Sequence, residues 1–285
     1  MKDAPLVPTV VHRHEAMATW FEVRLATDDP AYAAAAAREV FRLVDRCESL
    51  LSRYREDSEI CQIGRLSSGQ SLRLSLETFA CLRLALDLSQ ATHGAFDPAL
   101  GAPEPDQPLP EQRGRIILDG ATLTATLEGP PVHLDLGAIG KGHALDLGAA
   151  ILREWEMDHA LLVAGGSSLL ALETPPGRAG WEIGLSHDSG ILLNDAALGA
   201  SGGAVQGPHI LDPRTGQPAH RHHRTWAHAG SAAEADALST AAMLLTEDAL
   251  REITISHPAW SFAWLDREDQ SKPESVGTFP LLPHA

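Results

Sequence analysis

An α+β fold is the class this sequence predicts, and two features of its patterning point there. Strand-like runs fall in clusters, at 115–118, 122–127 and 132–136 and again at 160–164, 169–172 and 183–185, with helical periodicity between the clusters. The strict strand–helix alternation that builds a parallel sheet is missing. Taken in order, Met17 to Ala26 alternates well enough for a strand. Asp28-Asp29-Pro30 then supplies a cap and a first-turn proline for a helix that reaches about Leu51, with Val40, Phe41, Val44 and Leu51 at helical spacing. A second helix is predicted over Ser75 to Thr92, with Phe79, Leu82, Leu86 and Ser89 on one face. The proline-rich stretch from Pro98 to Gly114 reads as a loop. A glycine-rich turn leads into a helix from Lys141 to Trp155, the stretch from Leu198 to Ala219 is rich in turn residues, and a last helix covers Ala232 to Leu245. Beyond Asp266 no periodicity remains, so 267–285 is expected to be a loose C-terminal tail behind a single domain at 1–266.

Composition narrows the function. The net charge of −16 argues against a nucleic-acid surface, which needs a basic face. With 44% hydrophobic and 21% charged residues, collagen-like and disordered readings fail. No run approaches ~18 consecutive apolar residues, so no membrane insertion is expected. Cys47, Cys61 and Cys81 are odd in number and form no CxxC pair, which disfavours a disulfide framework or a structural zinc site. The N-terminus shows no apolar signal core and no lipidation cysteine, so the chain as given is expected to be cytoplasmic, and periplasmic if a leader had been removed.

Three stretches carry chemistry. Asp135-Leu136-Gly137-Ala138-Ile139-Gly140-Lys141-Gly142 places three glycines and a lysine at a helix N-terminus, where free N–H groups meet an anion. It matches neither a Walker A loop nor GxGxxG, and on spacing alone it fits either a phosphate cradle or a plain strand–turn–helix joint. Asp236 and Thr240 stand at i and i+4, so their oxygens share a helix face; that suits Mg²⁺, or simply a helix cap with a back-bonded threonine. His209 opens the consecutive turns of His-Ile-Leu-Asp-Pro-Arg-Thr-Gly-Gln-Pro, as a general base or as a turn histidine. His220, His222 and His223 offer a transition-metal set, but a solvated loop is the expected reading.

Together these pieces resemble the ApbE-like FAD:protein FMN transferases from about Met17 to Asp266. Met17-Ala18-Thr19 is similar to the family's M-G-T entry, and Ser52-Arg53-Tyr54 with Asp57-Ser58-Glu59-Ile60 to its S-x-Y…S-E-I. Gly94-Ala95-Phe96-Asp97-Pro98 resembles G-x-F-D-P, and Asp135 to Gly142 with Ala144 and Asp146 resembles D-L-G-G-I-A-K-G-Y-A-V-D. Ala164-Gly165-Gly166, then Ser201-Gly202 with His209 to Pro218, then Ala235 to Ala241 follow in the family's order. The chain departs from the pattern at Gly64, His143 and Ser167.

The resemblance implies an α+β flavin-transferase fold with mixed or antiparallel sheets flanked by helices. It implies a transferase with FAD as substrate, Mg²⁺ as metal, and an unidentified acceptor flavoprotein subunit that receives FMN on a Thr or Ser hydroxyl as AMP leaves. The Ala138 carbonyl, Asp236 and Thr240 would hold the metal. Met17, Tyr54, Ala95, Phe96, Asp97, Asp135, Lys141 and His209 would contact FAD, with His209 and Asp236 catalytic. Cleavage of FAD to FMN and AMP by water, and FAD binding without catalysis, are the alternatives.

Overall fold

The structure, a computed structural model, describes residues 7–99, 114–186, 188–202, 211–217, 219 and 221–282. The 98–114 loop falls mostly outside these residues, and His209 and His220 lie outside them entirely. The chain opens on a hairpin, β1 (Thr9–Ala16) with β2 (Thr19–Ala26). Its two-residue turn is Met17 and Ala18, at φ 50 and 55, the left-handed backbone at both positions by which a type I′ hairpin loop follows the strand twist. Helix α1 (Pro30–Leu51) starts where the sequence predicts: the Asp29 side chain accepts from the Tyr32 N–H and proline takes the first turn. Helix α2 (Glu59–Gly64) and strand β3 (Ser71–Arg73) precede α3 (Leu76–Ala91), which is capped by Ser75. Strands β4 (Arg115–Asp119) and β5 (Thr124–Glu128) join β3 in a small antiparallel sheet of order β3-β5-β4.

Helix α4 (Gly140–Glu154) leads to β6 (Ala160–Ala164) and β7 (Ser168–Ala171), then a hairpin of β8 (Trp181–Ser186) and β9 (Ser189–Leu193). Next come β10 (Ala196–Gly202), β11 (Arg224–Ala229), α5 (Ala232–Ala242), α6 (Glu247–Ser256), β12 (Ser261–Leu265) and β13 (Glu274–Val276). The main sheet has the order β1-β2-β6-β7-β10-β11-β12-β13, and every neighbouring pair in it is antiparallel. Alternation along its strands divides two cores. Phe21, Val23, Leu25, Leu162, Leu170 and Phe262 face the helices. Leu161, Val163, Leu169, Leu198 and Trp226 face the β8–β9 hairpin through Trp181, Ile191 and Leu193. Strands buried on both faces read as unbroken apolar runs, which is why Ala160–Ala164 was legible without alternation.

Three expectations are corrected. Residues 132–136 form no strand, although Val132, Leu134 and Leu136 are buried in alternation. They reach the core with no more than an isolated β-bridge at His133, and the Asp135 N–H donates to the Pro98 carbonyl. The stretch expected to be turns from Leu198 begins inside β10, whose Ala-Gly-Ser composition hides a central strand over which a helix passes closely. The expected loose tail contributes β13, paired through Phe262↔Val276 and Trp264↔Glu274, with Val276 and Phe279 buried.

On the hairpin face, Glu22 is buried between Arg13 and Arg24, each placing Nε within hydrogen-bond distance of one carboxylate oxygen. Burial alone would raise the Glu22 carboxyl, but the two guanidiniums outweigh it and hold the group below its ordinary value. A depressed carboxyl contributes stability above the unfolded value of 4.5 and loses it as pH falls through the folded value. Glu22→Gln is therefore expected to cost about 1–3 kcal/mol in urea unfolding at pH 7, and the gap to wild type is expected to close in acid. A gap independent of pH would show that shape, not charge, holds this corner.

Candidate active site

The most chemical part of the molecule is the N-terminus of α4, and a hydrogen bond to α5 builds it. Gly142 lies in the first turn of α4, where an N–H has no carbonyl within the helix to meet. It donates to Asp236 Oδ2 at 2.8 Å. No described residue donates to the Ala138 carbonyl, while the next N–H, of His143, begins the helical pattern to Ile139. The Gly142 bond requires α5 to lie against α4 backbone to backbone. A Cβ at Gly142 would sit 2.1 Å from the Ala232 carbonyl oxygen. Asp146, one turn further along α4, fastens the start of α5 by accepting from Ser231 Oγ at 2.8 Å and from the Ala232 and Ala233 N–H groups at 2.7 and 2.9 Å. Burial raises the Asp146 carboxyl, and these bonds pull the other way.

Asp236 is 5% exposed on α5. Burial pushes its carboxyl up to about 6, against the pull of Lys141, the Ser168 hydroxyl and the Gly142 N–H. Ser168 Oγ donates to Oδ2 at 2.9 Å, and Lys141 Nζ stands 4.0 Å from the same oxygen. The other oxygen, Oδ1, receives no hydrogen bond from any described residue. One turn on, Thr240 Oγ1 donates to the Asp236 carbonyl at 3.2 Å and lies 3.2 Å from Ser201 Oγ, which also meets Ser239 Oγ at 2.9 Å. Ala138, Asp236 and Thr240 thus offer a carbonyl without a donor, a carboxylate oxygen without a donor and a hydroxyl. Hard oxygens with a single carboxylate are what Mg²⁺ takes when substrate phosphates and water complete its shell. Among the described residues no group of three or more His, Cys, Asp or Glu is placed to hold a metal.

A second group lies along the turn before α4. Asp135 Oδ1 accepts from the Gly137 N–H at 2.8 Å, and Oδ2 meets Arg53 Nη1 at 3.3 Å. Arg53 also donates to the Tyr54 hydroxyl at 2.7 Å and lies over the Tyr54 ring, 4.7 Å from its centroid. Tyr54 itself is 81% exposed, an aromatic face held out to solvent. Lys141 Nζ donates to the Gly137 carbonyl at 3.4 Å, so the 135–142 turn carries its cation folded back over it.

Of the remaining predicted contacts, Asp97 lies next to the second group, since the carbonyl of Pro98 accepts from the Asp135 N–H at 2.8 Å. Met17 is fixed by α1, its N–H donating to Glu48 Oε1 at 2.9 Å. Ala95 and Phe96 are core residues, 1% and 3% exposed, so their side chains serve packing and only their backbone is left for a ligand. Asp97 Oδ1 accepts from the Ala99 N–H at 2.8 Å. His209 falls outside the described residues, but the turn after it is anchored. Arg214 grips both oxygens of Asp212 and donates to the Leu244 carbonyl just past α5.

The histidine group is corrected. His222 is buried, with Nδ1 2.6 Å from Asp266 Oδ1 and Nε2 3.3 Å from the Leu245 carbonyl, so it latches two elements together rather than sitting in a solvated loop. His143 is also buried and held below its ordinary value by desolvation; its Nε2–H donates to the Glu77 carbonyl. Sequence reasoning missed Ser168. Its one signal was a polar residue heading the apolar run Leu169–Leu172.

The ApbE family model matches residues 17–260, a span that takes in β2, the α4 turn and α5. A FAD:protein FMN transferase from Treponema pallidum is 30% identical over 80% of this chain and 76% of its own length. One from Klebsiella pneumoniae is 28% identical over 65% and 67%. The solved structure of the flavin transferase ApbE from Vibrio cholerae superposes with a TM-score of 0.80 at 20% identity, covering 95% of this chain and 98% of that one. The apbe protein from Thermotoga maritima does so at 0.76 and 23%, covering 90% and 94%. The same α+β framework recurs at low identity, and the family match runs through both strands of chemistry gathered around α4; the chain belongs to the ApbE family.

Proposed function

We propose that this protein transfers FMN from FAD to a Thr or Ser hydroxyl of an acceptor protein and releases AMP. The observation that carries the reading is the set of oxygens at the N-terminus of α4, where the Ala138 carbonyl and Asp236 Oδ1 receive no hydrogen bond from any described residue and Thr240 stands one turn on from Asp236. Family membership and the printed activity of the relatives support it. Ala138, Asp236 and Thr240 would hold Mg²⁺, which supplies positive charge against the pyrophosphate as the leaving group departs.

This chain's own residues do the rest. Lys141 sets a further cation at the same helix end, where backbone N–H groups favour phosphate oxygens. Tyr54 offers a stacking face, and Arg53 ties that face to Asp135. His209 is proposed as the base that takes the acceptor hydroxyl proton. The acceptor oxygen bonds to the FMN phosphorus, the bond from that phosphorus to the bridging oxygen breaks, and AMP leaves with the bridging oxygen.

The test is incubation with FAD, Mg²⁺ and a candidate acceptor flavoprotein subunit, followed by acceptor mass and free AMP. Acceptor mass gain by one FMN unit with equimolar AMP is expected. AMP and FMN without acceptor modification would identify hydrolysis, and intact FAD a binding protein; either overturns the proposal. Within the same assay Arg53→Ala is expected to raise the KM for FAD about tenfold, roughly 1.4 kcal/mol, while kcat stays within about threefold, because Arg53 orders Tyr54 and Asp135 before FAD arrives. An equal loss in kcat would place Arg53 in the chemical step.

A further inference from the structure

We infer that Ser168 is a positioning residue for the metal-binding carboxylate, its hydroxyl fixing Asp236 so that Oδ1 is the oxygen presented to a divalent cation. The inference rests on the reading of Asp236 as a metal ligand. Ser168 opens β7 with its side chain fully buried, and its register partners are Ala164 on one side and Gly199 on the other. Small neighbours on both strands let α5 pass close overhead, and at that place the hydroxyl reaches Asp236 Oδ2 at 2.9 Å. The Gly142 N–H reaches the same oxygen at 2.8 Å. Two donors on one oxygen set the rotation of the carboxylate, and they leave the other oxygen without a donor among the described residues. Lys141, at 4.0 Å, is outside hydrogen-bond distance, so Ser168 is the side chain that holds the group directly.

Burying a hydroxyl in an apolar strand costs stability unless it is bonded, and an alanine would sit there without that requirement. The hydroxyl is therefore assigned to orientation, in the manner of residues behind metal ligands whose loss weakens metal affinity about 10–100-fold.

The test uses Mn²⁺ alone, titrated into the full chain without FAD, with free Mn²⁺ read by electron paramagnetic resonance. Ser168→Val and Ser168→Ala are expected to raise the Mn²⁺ Kd by about tenfold or more, whereas Ser168→Thr, which has the shape of valine but keeps the hydroxyl, is expected to stay within about threefold of wild type. Asp236→Ala is the reference and is expected to abolish binding. Loss in Asp236→Ala with wild-type affinity in Ser168→Val overturns the inference and leaves the metal reading standing. Equal losses in the Thr and Val variants also overturn it, because shape then decides. Wild-type affinity in Asp236→Ala overturns the metal reading, and this inference with it.

Discussion

Asp236→Ala is expected to lower the kcat/KM of FMN transfer by about three orders of magnitude, with FAD still bound. A cation at a developing charge contributes several kcal/mol, and about 4 kcal/mol is close to three decades. The same variant is not expected to unfold the protein. Burial holds the Asp236 carboxyl at about 6, above its ordinary value, so the ionised form becomes a cost as pH rises through that range. At pH 8 the metal-free protein carries that cost in full. Asp236→Asn, which keeps the volume, is therefore expected to melt at or above the wild-type temperature while losing transfer, the pattern of a residue kept for chemistry against stability. Calorimetry beside the transfer assay separates the cases. A fall in melting temperature that tracks the fall in activity would make Asp236 a structural residue and remove the metal assignment.

What could be read from the sequence followed how local each signal is. The starts of α1 and α3 were legible because Asp29 and Ser75 cap them within three residues of themselves, and β6 because a strand buried on both faces is apolar throughout. Strand β1 was not legible: it is an edge strand, and Val11, Arg13 and Glu15 on its exposed face alternate with histidines. Helix α6 hides because only Leu250 and Ile253 are buried along its ten residues. β11 and β12 close the sheet through partners far along the chain, and no local turn announces them.

The site divides in the same way. Asp236 and Thr240 share one helix, so their spacing was visible. The Gly142 bond to Asp236 and the Ser168 hydroxyl cross 94 and 68 residues, a distance that no periodicity spans. The family resemblance bridged it for Ala138 and Lys141. It did not reach Ser168 or the Arg53 clamp, whose roles follow from this chain's own packing.

Gly142→Ala tests that packing, and its expected effect is the largest on stability. A Cβ there would lie 2.1 Å from the Ala232 carbonyl oxygen, 2.3 Å from its carbon and 2.6 Å from the Ala233 nitrogen. All three are backbone atoms, so no side chain can swing away, and α5 must move as a body. Three residues further along, α5 meets Gly199 of β10 in the same manner, with a Cβ 2.1 Å from the Ala235 carbonyl oxygen. Overpacking of this kind costs about 3 kcal/mol or more, which at about 2–4 °C per kcal/mol lowers the melting temperature by roughly 6–12 °C. Gly230→Ala, two residues before α5, is the control: a Cβ there meets nothing within 4 Å, and a change within about 0.5 kcal/mol is expected. Transfer should fall in Gly142→Ala even below its melting range, since displacing α5 separates the Gly142 N–H from Asp236. A wild-type melting temperature in Gly142→Ala would mean that α4 and α5 do not meet backbone to backbone, and the Gly142–Asp236 bond that places the carboxylate would lose its basis.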